Sequence, residues 1–215
     1  MTPRDYRLGQ RQAAVDATRR KVLDAARDLL ADPAGYPSFT VDAVAKRADV
    51  ARATVYYQFD SKSGLLEALF DSLAEQGQMA ELPSAFTNPD SEEALRRFVA
   101  CFVRFWASDR IVLRRIRAIA ALDPEVGPLI AARDERRRMG LRVLAARFDP
   151  PGGLGNSGLA DTSDGEDAGR SDDRLDVVHA LTSFETYDAL SGPGREPDEV
   201  IGILADLAVR VMTGR

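Results

Sequence analysis

The stretch from Phe39 to Phe59 constrains the fold of this chain more than any other. Val41, Val44, Ala45 and Ala48 recur at helical spacing and form the buried face of a short helix. Thr40 stands where an N-cap belongs, and Asp42 falls in the first turn, where negative charge is favoured. Asp49 marks a turn, because Asp tolerates left-handed backbone better than most residues. A second short helix is predicted over about Ala51 to Gln58, with Val55 as scaffold. Ser61 then caps a further helix through Leu65, Leu66, Leu69, Phe70 and Leu73. The result is a pair of short helices joined tightly, flanked by longer ones.

The rest of the sequence predicts helices as well. A first helix is expected from Gln12 to Leu30, with Val15, Arg19, Val22, Ala26, Leu29 and Leu30 as its stripe. Ser91 is expected to cap a helix carrying Leu95, Phe98, Val99, Phe102, Phe105 and Trp106. Asp109 is expected to cap the next, through Ile111, Ile116, Ile119 and Leu122. Asp123-Pro124-Glu125 is a start signal with Pro at a favoured position, for a helix reaching Phe148. Residues 150–173 are rich in Gly, Asp and Ser and predict a flexible acidic loop. Helical patterning resumes over Arg174 to Leu190, stops at Gly192-Pro193-Gly194, and restarts at Pro197 to run to Met212. Strand alternation is not visible, so the expected fold class is all-α.

The outward positions of the second short helix point to a ligand. Arg52 can donate a bidentate pair to guanine, and Thr54 can meet a base edge or a thymine methyl. Ala51 and Ala53 are small enough for close approach. Tyr56 and Tyr57 can hydrogen-bond phosphates or pack on sugars. Lys62 adds a cation near a helix N-terminus that itself attracts phosphate. A helix of this kind lies in the major groove of double-stranded DNA in helix-turn-helix proteins. The net charge of −5 opposes DNA binding, but its distribution does not: residues up to Gly64 sum to +3 and the remainder to −8. By residue pattern alone, the same tyrosines also suit a plain aromatic core.

Other classes have less support. Catalysis by a nucleophile and base, or by a metal, finds one His, one Cys and no clustered ligand spacing. The acids read as surface or helix-capping groups, so no enzyme, metal or cofactor is expected. A single cysteine, Cys101, forms no intramolecular disulfide, and its apolar neighbours suit an inert buried thiol. No apolar run reaches transmembrane length, and the N-terminus lacks an apolar signal core; a cytoplasmic protein is expected. A small-ligand-binding helical protein without sequence-specific DNA binding remains the alternative, and an all-helical adaptor a further one.

The order of these pieces resembles the DNA-binding domain of the tetracycline-repressor (TetR) family of bacterial regulators. The matching segments are Val22-Leu23-Asp24-Ala25-Ala26, Phe39-Thr40-Val41, Val44-Ala45 with Ala48, Ala53 to Phe59, and Ser61 to Leu66. The family usually has glycine where Asp49 stands and often serine where Ala51 stands. The resemblance implies a helix-turn-helix DNA-binding domain over 11–60, with its motif at about 40–59. It implies a helical effector-binding and dimerisation domain over 61–215. It places Thr40, Arg52, Thr54, Tyr56, Tyr57 and Lys62 at DNA-contacting positions. It further implies a repressor released from operator DNA by a small-molecule effector. Phe102, Trp106, His179, Phe184 and Tyr187 are candidate effector contacts, although core packing is the simpler account of each aromatic. Arg133, Arg136, Arg137 and Arg138 read as a solvated face. The last two helices are apolar on more than one side, as a homodimer interface requires.

Overall fold

Thr40 starts the helix-turn-helix by satisfying a backbone donor. In the computed structural model, which describes residues 3–34, 39–148 and 164–215, Thr40 has extended backbone. Its Oγ1 accepts a hydrogen bond from the Ala43 N–H at 3.1 Å. Helix α1 spans Pro3–Ala31 and α2 spans Val41–Arg47. Asp42 in the first turn of α2 and Lys46 and Arg47 in its last complement the helix dipole. Asp49 adopts φ 48°, the left-handed conformation that turns the chain. Helix α3, Arg52–Phe59, follows, and Ala51 at its N-cap makes no side-chain hydrogen bond. Asp60, at φ 60°, ends it.

The junction into α4, Lys62–Gln76, depends on glycine. The Gly64 N–H donates to Ser61 Oγ at 3.0 Å. A Cβ at Gly64 would lie 2.1 Å from the Phe59 carbonyl oxygen, so no larger residue fits without moving backbone.

Two compact units form: Met1–Ser72 with Ile111–Leu129, and Leu73–Arg110 with Ile130–Arg215. In the first, Val22, Ala26, Leu30, Val44, Val55, Leu65, Leu66 and Leu69 are buried together with Ile116 of α7, Arg110–Leu122. Arg19 of α1 donates to the Gln58 carbonyl at 3.0 Å, and its guanidinium lies 4.5 Å from the Phe59 ring centroid. This cation–π clasp fixes the C-terminal end of α3. Arg115 of α7 donates to the Leu30 carbonyl.

Among the described residues, the second unit holds the end of α4, a 3-10 turn at Met79–Glu81 and further helices. They are α5 (Pro83–Thr87), α6 (Ser91–Ser108), α8 (Gly127–Ala145), α9 (Asp164–Leu181), α10 (Phe184–Leu190) and α11 (Pro197–Thr213), with α8 starting in the first unit. Helix α6 buries Leu95, Phe98, Val99, Phe102, Phe105 and Trp106. The described residues hold no strand, as the sequence predicts. None of their helices is long and apolar enough to cross a membrane.

Several boundaries differ from expectation. Helix α1 starts at Pro3, because proline pre-sets helical φ, a start signal that apolar periodicity does not register. Val15 of its expected stripe is exposed. Asp90, not Ser91, caps α6: its Oδ1 accepts from the N–H groups of Glu92 and Glu93. Asp123 Oδ1 accepts from the Glu125 N–H, but turns intervene and α8 starts only at Gly127. Of the expected acidic loop 150–173, residues 164–173 belong to α9, and 150–163 lie outside the described residues. Residues 164–173 contain no proline, so each can take helical backbone, and α9 carries them into the turn before the buried Leu175. The single helix expected over Arg174 to Leu190 is two, because Ser183 Oγ caps α10 by accepting from the Thr186 N–H.

Candidate nucleic-acid interface

The proposed reading face is built on α3, whose inner side is fixed by the buried Val55 and Phe59. Residues 52 and 56 share one ridge of this helix, and 53 and 57 the adjacent one. Arg52, Ala53, Tyr56 and Tyr57 are exposed and Thr54 is half-buried. Tyr57 stands out at 83% exposure, a large aromatic surface left in water. Thr40 is exposed at the start of α2, where its side chain is committed to capping.

Arg52 is not loose. Its Nη1 pairs with Asp42 Oδ2 at 3.1 Å and its Nη2 donates to the Tyr56 hydroxyl at 3.2 Å. The guanidinium also lies 5.3 Å from the Tyr56 ring centroid. The Tyr56 hydrogen bond and then the Asp42 charge push the Arg52 pKa above its ordinary value. Lys62 is also engaged: its Nζ is 2.9 Å from Asp123 Oδ2, with both side chains half-buried. That bond, with backbone donors behind it, holds the Asp123 carboxyl below the usual carboxylate range. The pair lies in an open cleft of about 790 Å³ with Phe39, Ile119 and Leu122 on its walls. Further acids temper the basic surface, as Lys21 meets Asp49 at 3.7 Å and Arg47 meets Asp28 at 3.1 Å. The structure thus joins Arg52 to Tyr56 on one face and ties Lys62 to Asp123, a partner not visible in the local sequence pattern.

The candidate effector residues lie in the second unit. Phe102, Trp106, Phe184 and Tyr187 are buried. Phe102 and Trp106 are 6.1 Å apart by ring centroid, and Trp106 and Phe184 are 5.7 Å apart. The Trp106 Nε1–H donates to the Thr182 carbonyl at 3.0 Å. His179 is half-buried, with Nε2 at 3.2 Å from the Asp134 carbonyl. Burial, then the Arg137 charge, pushes its pKa below the ordinary value.

Arg137 is the residue that the sequence pattern misplaced. It is 4% exposed rather than on a solvated face. Its Nη1 donates to the His179 carbonyl at 2.5 Å and to Thr182 Oγ1 at 2.6 Å, and its guanidinium lies 5.9 Å from the Phe102 ring. It therefore secures the end of α9, whose carbonyls lack helical partners. Burial pushes the Cys101 thiol up, as an inert core cysteine would be.

These features define an all-helical protein whose first unit carries a helix-turn-helix with a cationic and phenolic outer helix. Residues 22–69 match the family model of bacterial regulatory proteins of the tetR family. The match covers the helix-turn-helix and the helices on either side of it, and it shows that region to be similar to the DNA-binding part of that family. It is 32% identical over 126 residues to the HTH-type transcriptional regulator EthR of Mycobacterium tuberculosis, an alignment covering 56% of this chain and 57% of that protein. The chain thus spans little more than half the length of that curated relative. A TetR-like transcriptional regulator from Rhodococcus sp. RHA1 superimposes with TM-score 0.61 at 22% identity, over 92% of this chain and 97% of that one. A regulator from Saccharomonospora viridis, solved in complex with choline, does so with TM-score 0.56 at 21% identity, over 89% and 95%.

Proposed function

We propose that the protein is a DNA-binding transcriptional regulator, a cytoplasmic homodimer that represses by occupying an operator and is released by a small-molecule effector. The observation that carries this reading is the outer face of α3. A capped α2 and a left-handed turn hold a short helix whose exposed side chains are Arg52, Ala53, Tyr56 and Tyr57, and neither folding nor core packing accounts for Tyr57 in water. Arg52 and Thr54 take the base-edge roles, while Tyr56, Tyr57, Thr40 and Lys62 take phosphate and sugar roles. Residues 11–60 form the DNA-binding domain and 61–215 the effector-binding and dimerisation domain.

Dimerisation through α9 and α11 is supported by what one chain leaves uncovered. Val178, Val200, Leu204 and Met212 are buried within the unit, while Val177, Ile203 and Leu207 on the same helices remain 40–46% exposed. A two-fold dimer would cover them and set two copies of α3 about one DNA turn, roughly 34 Å, apart. An effector that favours a different spacing would shift the population away from the DNA-competent form. Phe102, Trp106, His179, Phe184 and Tyr187 are proposed as effector contacts, and choline, seen in the Saccharomonospora protein, is one ligand for trial. The test is a mobility-shift titration with the DNA flanking the protein's own gene, with and without candidate ligands. A shift that weakens with salt and is reversed by a ligand supports the proposal; no shift with any flanking duplex refutes it.

A further inference from the structure

Arg52 is held from two helices before any DNA arrives. Asp42 accepts from its Nη1 at 3.1 Å, and Tyr56, one turn along α3, accepts from its Nη2 at 3.2 Å. A guanidinium carries five N–H donors, so two such bonds still leave a fork for a partner with two acceptors, such as a guanine edge. A free, exposed arginine samples many rotamers and loses that freedom on binding. The Asp42 carboxylate, itself exposed, also brings a negative charge beside Arg52, where it opposes a phosphate. Attraction to phosphate is common to every DNA sequence, whereas contact with a base edge is not. A carboxylate that keeps an arginine from the phosphates therefore lowers the shared part of affinity and protects the selective part.

We propose that Asp42 is a specificity-determining positioning residue, anchoring Arg52 so that its guanidinium meets a base edge rather than the DNA backbone. The inference rests on the DNA-binding function proposed above and adds a residue that touches no base. On sequence grounds Asp42 served only as a favourable charge in the first turn of α2.

The experiment begins with wild-type protein enriching duplexes from a random-sequence pool. Dissociation constants are then measured by fluorescence anisotropy for the enriched duplex and for the unselected pool. The proteins compared are wild type, Asp42→Asn, Asp42→Ala, Arg52→Ala and the Asp42→Asn/Arg52→Ala double variant. Loss of the Asp42 carboxylate tightens binding to the unselected pool and lowers the ratio of enriched to unselected affinity by about fivefold or more. The relaxed preference falls at the base pair that Arg52→Ala also relaxes. In the double variant, Asp42→Asn adds no further change at that base pair. A purely structural role for Asp42 would weaken both duplexes alike and keep the ratio, and that result overturns the proposal. A ratio that rises overturns it too. A wild-type protein that enriches no sequence overturns the DNA-binding function itself, a failure visible before any variant is measured.

Discussion

Replacing Gly64 by alanine tests how α3 is set at its angle to α4. The added Cβ would stand 2.1 Å from the Phe59 carbonyl oxygen, whereas ordinary contact starts at 3.4 Å. The junction must therefore open by about 1.3 Å, and the obstacle is backbone, which no rotamer change relieves. Phe59 is 5% exposed, and the Arg19 guanidinium sits over its ring, so the displaced residue is anchored. Overpacking of this kind costs about 2–3 kcal/mol. In a chain of this length that corresponds to a fall in melting temperature of roughly 5–10 °C. Circular dichroism melting of the full chain measures it. Gly192→Ala is the matched control, because nothing lies within 4 Å of a Cβ there. It is expected to stabilise by about 0.4–1 kcal/mol through the unfolded chain alone. A Gly64→Ala protein that melts at or above the wild-type temperature would refute the close approach and the geometry built on it.

Other outcomes follow from the same structure. Thr40→Ala removes the cap of α2 and should cost about 1 kcal/mol, read by denaturant titration. Lys62→Ala should weaken binding to all duplexes alike and make the salt dependence shallower by about one unit of slope, measured by anisotropy between 50 and 200 mM salt. The chain has one histidine, and the fold depresses its pKa below the ordinary 6.5. The folded state therefore favours neutral His179, and stability is fully present above that ordinary value. It is lost as pH falls from there toward the depressed folded value, because the unfolded chain then binds the proton first. Melting temperature should decline between pH 7 and pH 5.5, and His179→Gln should flatten that decline.

The helix-turn-helix was legible because its determinants are local. Thr40 as cap, Asp49 in a left-handed turn, and Val44 and Val55 as scaffold are each fixed by residues within one or two turns. Long-range partners were not legible. Lys62 reads in the sequence as a cation beside a helix N-terminus, while its partner Asp123 lies 61 residues away, on the turn after α7. Arg137 read as one of a charged run, yet it is buried, because the carbonyl end of α9 needs donors and only the folded unit brings them together. The acidic stretch before Arg174 read as loop on composition, while the backbone of α9 extends through its second part. The cap of α6 also moved by one residue, from Ser91 to Asp90, whose carboxylate accepts from the N–H groups of both Glu92 and Glu93.

In the proposed function, the outer face of α3 meets DNA. A hydroxyl-radical footprint of the full chain on the duplex flanking its gene tests it most directly. Two protected patches centred about one helical turn apart are expected. Tyr57→Ala should erase that protection while leaving the circular dichroism melt unchanged, since Tyr57 is 83% exposed and packs little. A footprint that is absent with the wild-type protein, or that survives Tyr57→Ala, would contradict it.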